Sequence, residues 1–176
     1  LNLNIEKKKS TRYFFYLGCA FGFGFFLFGN YWITISLTHD EVFKGLIPLA
    51  LILIPLFLSL FFGLAVLLIG GFAEKNIAFI FLFSLVFSIF EFIRGTIFTG
   101  FPWNLISYTW SWSIETIQVL SIIGTYSLSL ISITFFSIPF LFFQKKIIKK
   151  NIFFLLFFII IFVTNYSYGI IKLNKA

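Results

Sequence analysis

Long apolar runs free of charge dominate the chain. They cover residues 13–39, 45–73, 76–90, 95–114, 116–144 and 151–171, and the charged residues cluster between them. A helix needs about 20 apolar residues to cross the hydrocarbon core of a bilayer, roughly 30 Å thick. Four of the runs meet that length with apolar content to match. The 76–90 run meets it when continued through Glu91 and Arg94. The 95–114 run does not behave like the others, because Gly95, Gly100, Pro102 and several Ser and Thr residues interrupt it. The pattern predicts an all-α integral membrane protein, a bundle of five transmembrane helices near 13–37, 45–69, 76–97, 114–143 and 151–171. A basic segment, 1–12, precedes them, a loop at 98–113 joins the third and fourth, and a short tail, 172–176, follows.

The first span has the basic flank of a signal peptide, with Lys7, Lys8, Lys9 and Arg12 before it. Its apolar stretch is too long for one, since signal cores run to about 15 residues. Trp32 and Tyr31 near its end suit a membrane interface better than a cleavage site. It reads as a span.

Orientation follows from Lys and Arg in the short connections. With the N-terminus in the cytoplasm, the inner side holds Lys7, Lys8, Lys9, Arg12, Lys75, Lys145, Lys146, Lys149 and Lys150. The outer side holds Lys44, Arg94, Lys172 and Lys175. That asymmetry predicts N-terminus in, C-terminus out. All four tryptophans (Trp32, Trp103, Trp110 and Trp112) then lie toward the outer surface, which marks the outer face as the candidate working surface.

Composition closes off other classes. Only 11% of residues are charged and 60% are hydrophobic, with mean hydropathy +1.06. A soluble domain carries about 25% charged residues, so a soluble enzyme and a nucleic-acid module are excluded. The net charge of +7 is mostly a topology signal. One Cys and one His provide neither a disulfide nor a metal cluster. The 30 Phe, with abundant Ile, Lys and Asn and no Met, fit AT-rich codons and are not read as a ligand stripe.

Few residues could carry chemistry. Gly18/Gly22 and Ala20/Gly24 are small residues four apart, the spacing that lets helices approach closely in lipid. Cys19 sits among phenylalanines with no basic neighbour to activate it. Ser121, Thr125 and Ser129, with Gly124 and Ser132 alongside, read as a helix-packing face. His39, beside Asp40 and Glu41, reads as solvated. Glu91 and Arg94, three apart, share a helix face and can pair. An unpaired charge inside a span is costly, about 2.5–3.5 kcal/mol at mid-bilayer on insertion scales, and pairing near the outer end of the span reduces that cost. One reading is a helix-end pair that anchors the following loop. The other is a polar site for a lipid head group, with Arg94 taking the phosphate. Pro102 then bars a regular helix and Gly100 permits a tight bend.

This stretch resembles a known signature. Glu91-Phe92-Ile93-Arg94-Gly95, then Thr99-Gly100-Phe101-Pro102-Trp103 and Tyr108, is similar to the membrane domain of bacterial apolipoprotein N-acyltransferases. Gly18, Gly22, Gly24, Gly29, Trp32 and Ser36 agree with that family's glycine-rich helix, and Gly124, Tyr126 and Ser129 agree more loosely. The likeness runs from about residue 16 to 143. Thr96 and Ser107 depart from the family's usual Trp and Gly.

The resemblance implies transfer of an acyl chain from a membrane phospholipid to the diacylglyceryl-cysteine that begins a lipoprotein, at the bacterial inner membrane. In the family a nitrilase-like domain does the chemistry with Glu, Lys and a nucleophilic Cys. That domain would follow the tail at 172–176, and two further helices would precede the first span. The resemblance therefore implies a membrane domain incomplete at both ends. It places lipid binding at Glu91, Arg94, Gly100, Phe101, Pro102, Trp103 and Tyr108, with no catalytic residue, metal or cofactor in this chain. Cys19, in the wrong helix, is not the nucleophile, so these 176 residues alone are expected to be inactive. The competing reading is a non-catalytic membrane scaffold or transport component. Acyl-chain preference and oligomeric state are not legible here.

Overall fold

The computed structural model describes residues 11–72, 76–97, 100–143 and 149–175. Glu74, Lys75, Thr99, Lys145, Lys146 and most of the basic N-terminus lie outside the described residues. The described residues are all helix, turn and loop, and they include five helices long and apolar enough to cross a membrane. The chain divides into two compact units, Leu1–Gly71 and Phe72–Ala176.

In the first unit, α1 (Thr11–Asn30) is followed by two single-turn helices, α2 (Ile33–Ser36) and α3 (Glu41–Lys44), and then by α4 (Ile47–Gly70). The apolar run expected to 37 breaks after Gly29-Asn30, two weak helix formers. Asp40 caps α3, its Oδ1 accepting from the Val42 N–H at 3.0 Å, and Lys44 pairs with Glu41 on the surface.

The helix α1 packs along α4 through its small residues. A Cβ at Gly18 would lie 2.6 Å from the Phe62 carbonyl oxygen, and one at Gly22 would lie 2.9 Å from Phe62 Cβ. The fit is reciprocal, since a side chain at Gly63 would run into Cys19 Sγ and one at Gly70 into the Phe14 ring. In lipid there is no hydrophobic gain on helix association, so close backbone approach and dispersion hold such a pair. Phe62 fills the seam with its ring centroid 5.0 Å from Phe26 and 5.5 Å from Phe25. The Ala20/Gly24 register is not used: Ala20 is exposed and Gly24 has open space around it.

The second unit begins with α5 (Ile77–Thr96), capped by Asn76, whose Oδ1 accepts from the Phe79 N–H at 2.7 Å. After the loop come the single-turn α6 (Ile114–Ile117), then α7 (Leu120–Ser137) and a 3-10 segment (Ile138–Phe143), then α8 (Lys149–Leu173). The fourth span, read from the sequence as one run near 114–143, is thus broken near its start. Ser113 caps α6, accepting from the Thr116 N–H, and donates to Glu115 Oε2 at 2.7 Å, which holds that carboxyl below its usual range. Gly124, with φ 75 and ψ 169, then interrupts α7.

Within this unit α5 packs on α7, and α6 on α8. Gly169 lets α8 approach so closely that a Cβ there would run into the Glu115 carbonyl. Asn165 Nδ2 donates to the Thr116 carbonyl at 3.0 Å, and Lys172 Nζ donates to Ser121 Oγ at 2.6 Å. At the other end Asn151 Nδ2 donates to the Leu141 carbonyl at 3.4 Å.

Candidate functional site

The motif residues come together where α5 ends and the chain turns back on it. Ile97 leaves the helix in an extended conformation, and the Phe101 N–H donates to the Arg94 carbonyl at 3.1 Å. Gly100 makes this return possible. Its φ of +76 is left-handed, and a Cβ would lie 2.6 Å from the Gly95 carbonyl oxygen. Asn104, with φ 57, supplies a second left-handed turn, a conformation Asn tolerates better than most residues. A 3-10 segment (Ile106–Trp110) then leads to α6.

Four side chains hold this loop at successive points. Arg94 Nη1 donates to the Phe101 carbonyl at 3.0 Å and to the Trp103 carbonyl at 2.7 Å. Glu91 Oε1 accepts from the Ile106 N–H at 2.9 Å. Ser129 Oγ of α7 accepts from the Ser107 N–H at 3.1 Å, and Ser132 Oγ accepts from the Trp110 indole N–H at 2.8 Å. The first two come from α5 and the last two from α7. All four are at least 98% buried. Hydrogen bonds to charged groups contribute about 1.5–3 kcal/mol net and neutral ones about 0.5–1.5. The Arg94 and Glu91 bonds therefore dominate the hold on the loop.

Both charges face inward, and each lies in the other's electrostatic field. Ser107 Oγ is buried with no hydrogen-bond partner among the described residues. The phenols of Tyr108 and Tyr126 act on Arg94 electrostatically, and burial followed by the neighbouring Tyr126 pushes Tyr108 above the usual phenol range. Tyr126 lies against Gly95, where a Cβ would meet its hydroxyl.

The expected lipid-binding residues thus divide into two groups. Glu91 and Arg94 are interior and hold backbone, while Pro102, Trp103 and Tyr108 face outward, Trp103 at 53% exposure and Tyr108 at 40%. Gly100 and Phe101 lie between, half-buried. Thr99 is outside the described residues. Beside the loop, an apolar cavity of about 290 Å³ lies between Trp110 and Trp112, Phe135 of α7 and Phe162 and Val163 of α8. Trp110 is one wall of it, its ring centroid 4.4 Å from that of Phe162. Such a surface suits hydrocarbon.

Ser132 and Trp110 were not legible as partners. The sequence places Ser129 and Ser132 one turn apart on α7, which reads as packing between helices. Their partners lie 22 residues earlier, in a segment whose path depends on Gly100 and Asn104. No sequence period encodes that return.

Comparison with known proteins bears on the same residues. A family model described as the apolipoprotein N-acyltransferase N-terminal domain matches residues 1–138. A protein of Rickettsia bellii named apolipoprotein N-acyltransferase is 38% identical over 172 residues, and one of Rickettsia prowazekii is 36% identical over 171. Each match covers 97% of this chain and 34% of the relative. A Rhizobium etli protein of the same name is 31% identical over 163 residues, 92% of this chain and 30% of its own. The chain therefore spans about a third of the length of these relatives. No solved structure matches it.

Proposed function

The chain belongs to the apolipoprotein N-acyltransferase family, carrying its N-terminal domain, and from that premise we propose that it is the membrane-embedded, lipid-handling part of such an enzyme. The reaction is transfer of an acyl chain from a membrane phospholipid to the α-amino group of a lipoprotein's diacylglyceryl-cysteine. The membrane is the bacterial inner membrane, with the N-terminus in the cytoplasm. The observation that carries the reading is the loop of the matched motif. It is folded back on its helix by a buried arginine and glutamate, with Trp103 and Tyr108 turned outward.

In this reading Glu91 and Arg94 bind no lipid themselves. They fix the loop's path from inside, Arg94 donating to two backbone carbonyls and Glu91 accepting from a backbone N–H. Lipid meets the outer side of the loop, at Pro102, Trp103 and Tyr108, and the apolar cavity beside Trp110 receives hydrocarbon. Trp and Tyr are suited to this place because an amphipathic ring sits well at head-group depth. Cys19 is packed against Gly63 within the first unit and is given no role in this reading.

The test is genetic. The gene containing this segment, read through its flanking DNA, should encode an α/β domain with Glu, Lys and Cys. Its product should restore lipoprotein N-acylation to a bacterium depleted of its own enzyme. An adjacent stop codon with no such domain nearby, together with failure to restore, would instead support a non-catalytic scaffold or transport component.

A further inference from the structure

The two serines of α7 have a role that helix packing does not describe. Ser129 accepts from the backbone N–H of Ser107, and Ser132 accepts from the indole N–H of Trp110. Both serines are fully buried, and Ser132 Oγ donates its own proton to the Leu128 carbonyl at 2.7 Å. That bond leaves its lone pairs turned toward Trp110. Tyr108 lies between the two pinned positions, half-exposed on a single 3-10 turn whose Tyr108 N–H donates to the Leu105 carbonyl at 2.9 Å. The Ser132 bond also fixes the Trp110 ring, which stacks on Phe136 and Phe162 and forms a wall of the apolar cavity.

We infer that Ser129 and Ser132 are positioning residues for phospholipid, pinning the 3-10 turn on either side of Tyr108 so that this phenol and the Trp110 wall present one fixed surface to the lipid. The inference rests on the reading that the loop meets lipid. It separates the loop's two halves. Arg94 sets the first, through the Phe101 and Trp103 carbonyls, and Glu91 sets the junction at Ile106. The α7 serines set the second, where the exposed ring and the cavity are adjacent. Loss of either serine oxygen leaves a buried donor without an acceptor, and the turn must shift to reach another.

The experiment uses the intact gene product in membranes, with S129A, S132A, S132T and W110F, the last keeping the stacked ring and removing its N–H. Each alanine variant should raise KM for phospholipid about three- to tenfold, the size of one neutral hydrogen bond, with kcat within about twofold. W110F should match S132A and add nothing to it in the double variant, because the two changes break one bond. S132T, which keeps the oxygen, should restore KM. An unchanged KM, or full additivity of S132A and W110F, overturns the inference. A wild-type protein that transfers no acyl chain would defeat the proposed enzyme function instead. The positioning role is then read from tryptophan quenching in vesicles of equal parts phosphatidylcholine and brominated phosphatidylglycerol. Quenching weaker in S129A and S132A than in wild type supports it, and equal quenching overturns it.

Discussion

Gly100 and Gly124 share a positive φ and differ in what surrounds them. Their φ values are +76 and +75, in the left-handed region where a Cβ is strained. At Gly124 the space around a Cβ is open, whereas at Gly100 the Gly95 carbonyl lies 2.6 Å away. A G124A substitution should therefore cost only the backbone strain, about 1–3 kcal/mol. G100A should cost more, because the loop must also lift away from the end of α5, weakening the Arg94 bonds that this return creates. Thermal unfolding of both variants in detergent compares them directly. Equal losses would show that the close approach at Gly100 carries no weight.

Among the elements, α1 and α4 show how selectively a helix uses its small residues. Gly18 lies against the Phe62 carbonyl and Gly63 Cα, both backbone atoms that cannot swing aside. G18A should force the helices apart and lower stability by about 1–3 kcal/mol, as overpacking does. G24A, in open space on the same helix, should be neutral or stabilising by up to about 1 kcal/mol through helix propensity alone. Chemical denaturation of the two variants distinguishes them, and a loss at Gly24 as large as at Gly18 would refute the packing. The five long helices were legible in the sequence because run length and charge spacing are enough to define a span. The motif loop was legible through Gly100 and Pro102. The choice between the Gly18/Gly22 and Ala20/Gly24 registers was not, because either pair satisfies the spacing and only the partner helix decides. Nor was the break at Gly124, which divides Ser121 from Ser129 on what reads as one continuous face. A glycine in a span tolerates helical and left-handed conformations alike, so its presence alone does not say which it adopts.

For the molecule as a whole, the proposed orientation, with the N-terminus in the cytoplasm, rests on the basic residues set nine against four across the spans. Reporter fusions after Gln144 and after Lys175 should report cytoplasm and periplasm respectively, and the reverse pattern would overturn the orientation. The loop contacts carry a further consequence, for the order in which the protein is made. Every loop and α7 group that Glu91, Arg94, Ser129 and Ser132 bring together is encoded after Glu91. A ribosome delivers α5, with its two charges, before the carbonyls of Phe101 and Trp103 exist to receive Arg94. The serines that fix the rest of the loop emerge later still. The third helix therefore gains the contacts that hold its two charges only after the chain that forms the loop and the fourth helix has followed it.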